Sequence, residues 1–237
     1  MQKYLRVSND IRSKIMQGKY QANEQLPSEK ELCLKYDSSK MTVKKALDIL
    51  VSEGLIIKRR GSGTFVKDLS IEEIERITVA NQFRGMTALN PENNVSSKVL
   101  DFSVVEASEI VQNKLNLTPG SFVYDLYRVR FLDGKPQVIE KTFMPIDLIP
   151  GLRKENLEKS IYEYIEGQLD LKIQSAHRTV TVRKALAVEV EHLAIAEGDP
   201  VAVAEQVVYL DKGTAFEYST SVHRQDAFSV KMVLNRD

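Results

Sequence analysis

The stretch from Leu26 to Val66 restricts the fold of this chain more than any other part of it, and reads LPSEKELCLKYDSSKMTVKKALDILVSEGLIIKRRGSGTFV. Ser28 precedes Glu31 by three residues, the spacing of a capping box at a helix start. Leu32 and Tyr36 then repeat at i,i+4 and give that helix one apolar stripe. Asp37, Ser38 and Ser39 break it, and Ser39 is placed to cap a second helix. In the second helix Val43, Ala46, Leu47 and Leu50 fall on one face, and Gly54 supplies the stop. Lys58, Arg59 and Arg60 lead into Gly61-Ser62-Gly63, and Thr64-Phe65-Val66 returns as a second strand. The spacing predicts two short helices, a tight connection and a small basic hairpin: a helix-turn-helix with a wing.

Lys40 and Lys44 lie at i,i+4 near the start of the second helix, with Thr42 between them and the apolar face turned away. That is where a recognition helix carries the groups that reach a major groove. Two glycines in the hairpin turn let the backbone approach another surface closely, and the flanking cations suit a phosphate backbone.

LPSEKEL, SKMTVKKAL and EGLIIKRRGSGTFV together resemble the DNA-binding domain of GntR-type transcriptional regulators, over roughly the first seventy residues. The resemblance implies contact with double-stranded operator DNA by Lys30, Ser39, Lys40, Thr42 and Lys44, and by the wing around Arg60, Gly61 and Gly63. The family usually carries arginine where this chain has Lys30, Lys40 and Lys44. Arginine grips guanine edges with two donors, whereas lysine acts as a point charge. The resemblance therefore implies a docking mode and not a base sequence.

Charge supports a two-part chain. The 33 Lys/Arg and 33 Asp/Glu cancel overall, but residues 1–67 hold fourteen basic against seven acidic side chains, leaving nineteen against twenty-six beyond them. A basic module joined to an acidic one is expected when only the first faces nucleic acid. No apolar run is long enough to span a bilayer and the N-terminus MQKYLRVSND has no apolar signal segment, so a cytoplasmic protein is expected. Cys33 is the single cysteine; it falls among the inward positions of its helix and reads as a small core hydrophobe.

Near-helical spacing of Tyr4, Val7, Ile11 and Ile15 predicts a helix over 3–17 ending at Gly18, with Arg6, Asn9 and Arg12 facing either the DNA backbone or water. Lys67 to Thr78 reads as a linker or short helix. From Val95 onward short β-rich runs dominate. Ser108 to Leu115 reads as a helix, Phe122 to Leu132 as a strand, Val138 to Phe143 as its hairpin partner, 160–170 as a helix, Ser175 to Lys184 as a strand and Ala185 to Ala194 as a helix.

The second half echoes the first. Leu115, Leu117, Gly120 and Val123, with a strand ending Leu132-Asp133, recur as Leu193, Ile195, Gly198 and Val201, with a strand ending Leu210-Asp211, at a constant offset of 78 residues. The repeat predicts an antiparallel sheet of two similar halves with helices against it, an α+β arrangement. YDLYRVRFLDGKPQVIEKTFMP, SIYEYIE and AFEYSTSVHRQDAFSV resemble the UTRA domain of the HutC subfamily of GntR regulators, whose fold is like chorismate lyase. The organisation this implies is a winged helix-turn-helix over 1–67, a linker and domain start over 68–90, and an effector-binding and dimerisation domain over 91–237.

Arg128 and Arg130 are two apart on one strand and share a face with Phe122, Tyr124 and Leu126. Two guanidiniums on an apolar face require an anion, unless the strand end emerges into water. The repeat places Gln206 and Val208 at the equivalent positions, so the strand forms without arginines. With a three-residue loop Asp133-Gly134-Lys135, Arg128 faces Glu140, as its ion-pair partner or beside it as a hydroxyl acceptor; a two-residue loop turns Glu140 away.

The UTRA resemblance extends the effector site to Arg128, Arg130, Glu140, Ser160, Tyr162 and Glu217, with Phe83, Arg84 and Gly85 offering backbone N–H groups to a phosphate. His223 falls where some relatives carry an aromatic ligand contact, and is either a hydroxyl partner or a structural strand histidine. His177 and His192 have no partner at ligand spacing, so neither a metal nor a cofactor is expected. The sequence thus implies a homodimeric repressor, released from a pseudo-palindromic operator by a small anionic effector such as a phosphorylated sugar. A carboxylate effector and a chorismate-lyase-type enzyme are the alternatives.

Overall fold

The computed structural model describes residues 2–70 and 85–230; residues 2–70, with Val230, belong to one compact unit and residues 85–229 to a second. In the first unit, helices α1 (Lys3–Met16), α2 (Glu29–Lys35) and α3 (Lys40–Ser52) are followed by strands β1 (Ile56–Arg59) and β2 (Gly63–Val66). Val7, Ile11 and Ile15 of α1 meet Leu32 of α2 and Val43, Ala46, Leu47 and Leu50 of α3 in one core. Full burial of each Val, Leu or Ile side chain here contributes about 1.5–3 kcal/mol. Both halves of the capping box are made: the Ser28 hydroxyl accepts from the Glu31 amide, and the Glu31 carboxylate accepts from the Ser28 amide. The Ser39 hydroxyl likewise accepts from the Thr42 amide and starts α3.

The wing pairs Ile56 with Val66 through to Arg59 with Gly63. Gln25 adds a bridge to Phe65, and its side-chain amide donates to the Ser62 carbonyl at 2.9 Å. Gly63 sits at φ +116, and a Cβ there would run into that same Gln25 amide. Cys33 is half-buried, packed at the margin of the core and not inside it, because α2 is short and covers only Leu32 fully. Arg12 is not freely solvated: its side chain is 16% exposed. Its Nε and Nη2 donate to the two Glu53 oxygens at 2.9 and 2.5 Å and bind α1 to the end of α3.

The second unit is α+β. A short helix α4 (Met86–Leu89) precedes β3 (Val95–Glu106), α5 (Glu109–Leu115), β4 (Phe122–Leu132) and β5 (Lys135–Pro145). Then come α6 (Lys154–Leu157), α7 (Ile161–Gly167), β6 (Ile173–Lys184), α8 (Ala187–Leu193), β7 (Pro200–Leu210) and β8 (Ala215–Arg224). The six strands form one antiparallel sheet in the order β3-β4-β5-β8-β7-β6. The sequence repeat is a structural one: α5, β4 and their left-handed cap Asn116 are matched by α8, β7 and Ala194. The halves meet where β5 pairs with β8.

Alternation divides the work of each strand. Val123 and Val129 of β4 pack under α5 and α8, while Leu126 turns to the other face, beneath α6 and α7. Arg128 shares that second face, since its Nη1 donates to the Leu157 carbonyl at 2.8 Å. The β4–β5 loop is the two residues Asp133-Gly134, with Leu132 opposite Lys135, not the three-residue loop considered from sequence. Glu140 nevertheless stands opposite Arg128, because a bulge after Arg130 takes up one residue of β5 and restores the register.

Among the described residues no helix is long and apolar enough to cross a membrane.

Candidate functional site

In the second unit the face carrying Arg128 and Arg130 lines a cavity of about 370 Å³. Its floor is the sheet itself: Arg128 and Arg130 on β4, Glu140 and Thr142 on β5, Glu217, Ser219, Ser221 and His223 on β8, Gln206 on β7 and Arg178 on β6. Gly85, Met86 and Leu89 close one side, Ser160 and Tyr162 at the start of α7 another, and Ala227 to Ser229 a third. Of the effector residues expected from sequence, the structure gathers Gly85, Arg128, Arg130, Glu140, Ser160, Tyr162, Glu217 and His223 around this one space. Phe83 and Arg84 lie outside the described residues.

The two arginines are held differently. Arg128 donates from Nε to Glu140 Oε2 at 2.7 Å, and these side chains are only 7% and 18% exposed. Burial pushes the Glu140 carboxyl up, but Arg128 and Arg130 outweigh it and hold the group below its ordinary value. Arg130 is 4% exposed and donates from Nη2 to Thr87 Oγ1 at 2.9 Å, while its buried Nε has no partner among the described residues. Desolvation lowers its pKa to about 10 in spite of Glu140. A buried guanidinium at a cavity wall, with one donor unpaired among the described residues, is a costly arrangement that a nearby anion would offset.

The opposite side of the cavity has other chemistry. Glu217 is buried, and its Oε1 accepts from Gln206 Nε2 at 3.1 Å and Ser219 Oγ at 2.8 Å. Burial raises the Glu217 carboxyl above its ordinary value against those hydrogen bonds. Desolvation, with Glu217 next to it, raises the Tyr162 hydroxyl well above its usual range. His223 is driven down to about 4, chiefly by desolvation, so its ring is neutral near pH 7 and available as a hydrogen-bond partner. An anion and a group of hydroxyls fit the two sides of this cavity. Among the described residues no three His, Cys, Asp or Glu side chains stand together as a metal site.

In the first unit, Lys40 and Lys44 stand exposed on α3, Lys30 on α2, and Arg60, Gly61 and Gly63 on the wing. Ser39 is exposed and Thr42 half-buried at the start of α3, their hydroxyls 2.9 Å apart. Lys30, Lys40, Lys44 and Arg60 make no ion pair among the described residues, whereas Lys58 is held by Asp48 at 2.7 Å and Lys45 lies over the Tyr4 ring. The surface of α2, α3 and the wing thus carries four uncommitted cations around a helix N-terminus.

Comparison with known proteins places both units. Residues 3–66 match the bacterial regulatory proteins of the gntR family, and residues 92–229 match the UTRA domain. The chain belongs to the GntR family. It is similar to the HTH-type transcriptional regulator GmuR of Bacillus subtilis (strain 168), 39% identical over 233 residues that cover 98% of each chain. It is also similar to the mannosyl-D-glycerate transport/metabolism system repressor MngR of Escherichia coli (strain K12), 28% identical over 98% of this chain and 96% of that one. Among solved structures it resembles the possible transcriptional regulator YydK of Bacillus subtilis subsp. subtilis str. 168, with a TM-score of 0.74 and 25% identity over 99% of this chain and 100% of that one.

As a GntR regulator of HutC type, this protein is a DNA-binding transcriptional regulator and not an enzyme, which disposes of the lyase alternative. Several residues in or beside the cavity escaped the sequence reading of this GntR chain, among them Thr87, Gln206 and Arg178. Thr87 carries no signal in the sequence, yet its hydroxyl accepts from Arg130. Gln206 entered only as the repeat's substitute for Arg128, and Arg178 was one polar residue in a strand. The 78-residue offset contained the missing clue, since it sets Gln206 on the Arg128 face of its half.

Proposed function

We propose that this GntR regulator is a homodimeric repressor whose second unit binds a small phosphorylated sugar, and that binding frees it from a pseudo-palindromic operator. The observation carrying this reading is Arg130: buried, short of one hydrogen-bond acceptor, and next to Arg128 at the wall of a cavity. A phosphate offers planar donor forks several acceptor oxygens at once. Glu140, Glu217, Gln206 and His223 then suit hydroxyl groups, which need acceptors and donors in mixed array. The similarity to MngR, a repressor of mannosyl-D-glycerate transport and metabolism, is consistent with a sugar-derived effector.

For DNA, Lys30, Ser39, Lys40, Thr42 and Lys44 are the groups that enter or flank the major groove, and Arg60, Gly61 and Gly63 follow the phosphate backbone. The effector acts only through a difference in affinity between the DNA-bound and released arrangements. The test is a thermal-shift screen of phosphorylated sugars and of sugar acids against the full chain, followed by operator release measured by fluorescence anisotropy. A sugar phosphate that stabilises the protein and lowers operator affinity is expected. Stabilisation and release by sugar acids alone, with every phosphate inert, would overturn the phosphate assignment.

A further inference from the structure

Arg178 stands on β6, an edge strand of the sheet, and lines the cavity from the side opposite Arg128. Register runs from Arg178 to Gln206 on β7, to Ser219 on β8 and to Thr142 on β5, so Arg178 and Ser219 flank the same row of the floor. Both Nε and Nη2 of Arg178 donate to the one Gln206 Oε1, at 2.9 and 2.6 Å. That decides which way the Gln206 amide lies. Turned over, its NH₂ would face the guanidinium donors and lose both bonds. With the carbonyl held by Arg178, Gln206 Nε2 must point to Glu217, and it donates to Oε1 there at 3.1 Å. Ser219 Oγ donates to the same oxygen at 2.8 Å.

Glu217 Oε1 is therefore occupied by two protein donors, and the Tyr162 hydroxyl also hydrogen-bonds to this carboxylate, so its plane is fixed while lone pairs remain for a ligand. Gln206, Glu217 and Ser219 are all buried, whereas Arg178 is exposed at the cavity edge. The repeat adds a second argument. In the first half the arginine is on the inner strand, where Arg128 faces Glu140; in the second half glutamine holds that place and the arginine has moved one strand outward. The outer arginine is hydrogen-bonded to the glutamine, and through it reaches the acid beyond.

Resting on the sugar-phosphate reading above, we infer that Arg178 is a specificity-determining positioning residue: through Gln206 it orients Glu217 as the acceptor for a hydroxyl of the sugar, and takes no part in holding the phosphate. A site whose buried polar groups are pre-set for a hydroxyl discriminates strongly against ligands lacking it, because the site's own groups are then left unpaired.

The test is calorimetric titration of the full chain with inorganic phosphate and with glucose, mannose, N-acetylglucosamine and trehalose 6-phosphates. In the unaltered protein at least one sugar phosphate is expected to bind about ten-fold or more tighter than inorganic phosphate, the effect of one well-placed hydrogen bond. Arg178→Met should bring that ratio to within about two-fold while the affinity for inorganic phosphate stays unchanged. Arg178→Lys, which keeps the charge but cannot set two donors on one oxygen, should behave like Arg178→Met. Arg178 is on an exposed edge, so these changes leave the core intact, and an unchanged melting temperature confirms it. An unaltered ratio in Arg178→Met overturns the inference, as do equal losses for phosphate and sugar phosphate, and as does an unaltered protein that binds inorganic phosphate without preferring any sugar phosphate. An unaltered protein that binds none of these ligands sinks the sugar-phosphate reading itself.

Discussion

Arg128 and Glu140 face each other across β4 and β5, joined at 2.7 Å, in a register that exists because one bulge compensates for a two-residue loop. Arg128 is further tied to the Leu157 carbonyl, so its guanidinium is held in place before any ligand arrives. A pre-set cation of this kind contributes to binding chiefly by avoiding the ordering cost of a mobile one.

Removing Arg128 should affect the protein in two separable ways. Arg128→Met removes the hydrogen-bonded partner of Glu140 and leaves Arg130 as its nearby cation, so the loss should fall below the roughly 3–5 kcal/mol of a fully unpaired buried charge. The double variant Arg128→Met/Glu140→Gln should recover most of the lost thermal stability. Neither variant should release operator DNA on addition of sugar phosphate, while both still bind it. Differential scanning fluorimetry and anisotropy separate the two effects; release by the double variant at the unaltered effector concentration would refute the assignment of Arg128.

The lysines of α3 should reveal themselves through salt. Lys40→Met and Lys44→Met each remove one cation that has no ion pair within the described chain, and each should reduce the slope of log K against log salt by about one. Affinity for sugar phosphate should be unchanged. Operator titrations at several KCl concentrations give the slope directly.

Two glycines of the wing should respond unequally. Gly61, at φ +76, has open space where a Cβ would go, so Gly61→Ala carries only the left-handed penalty of roughly 1–2 kcal/mol. Gly63, at φ +116, has the Gln25 side chain in that space as well. Gly63→Ala should weaken operator binding more than Gly61→Ala does, with both variants keeping full sugar-phosphate affinity.

Acid should find His223. Its ring is held at about 4 against an ordinary 6.5, so between those values the unfolded chain takes up a proton that the folded one refuses. The stability this group allows is therefore present above 6.5 and falls as pH drops toward 4. Glu217, held above the ordinary carboxyl value, contributes with opposite sign, losing stability as pH rises through the carboxyl range. His223→Gln should flatten the acid side of a plot of melting temperature against pH. An unchanged acid side would mean that the ring is solvated.

How much of this could be seen beforehand depended on whether the signal was local. Ser28 with Glu31, and Val43, Ala46, Leu47 and Leu50, declare a cap and a buried face within a few residues, and all appear as expected. The repeat was also legible, because Gly120 and Gly198 mark the same turn twice. Glu140 was a harder case: its position depends on a bulge that no residue type announces. Cys33 was read too deep because an i,i+4 stripe does not report how short α2 is. Arg178 and Thr87 were overlooked since each matters only through a residue brought near it by folding: Gln206 is 28 positions away, and Arg130 is 43.

The seam between β5 and β8 joins two halves of one backbone plan whose charges have diverged. A guest molecule would find two buried arginines to one hand and an acid–amide pair, backed by an outer arginine, to the other, so its two orientations would not be equivalent. A dimer of such chains would offer two seats that each favour one direction of the guest, and a compound bearing phosphate at both termini would satisfy neither fully.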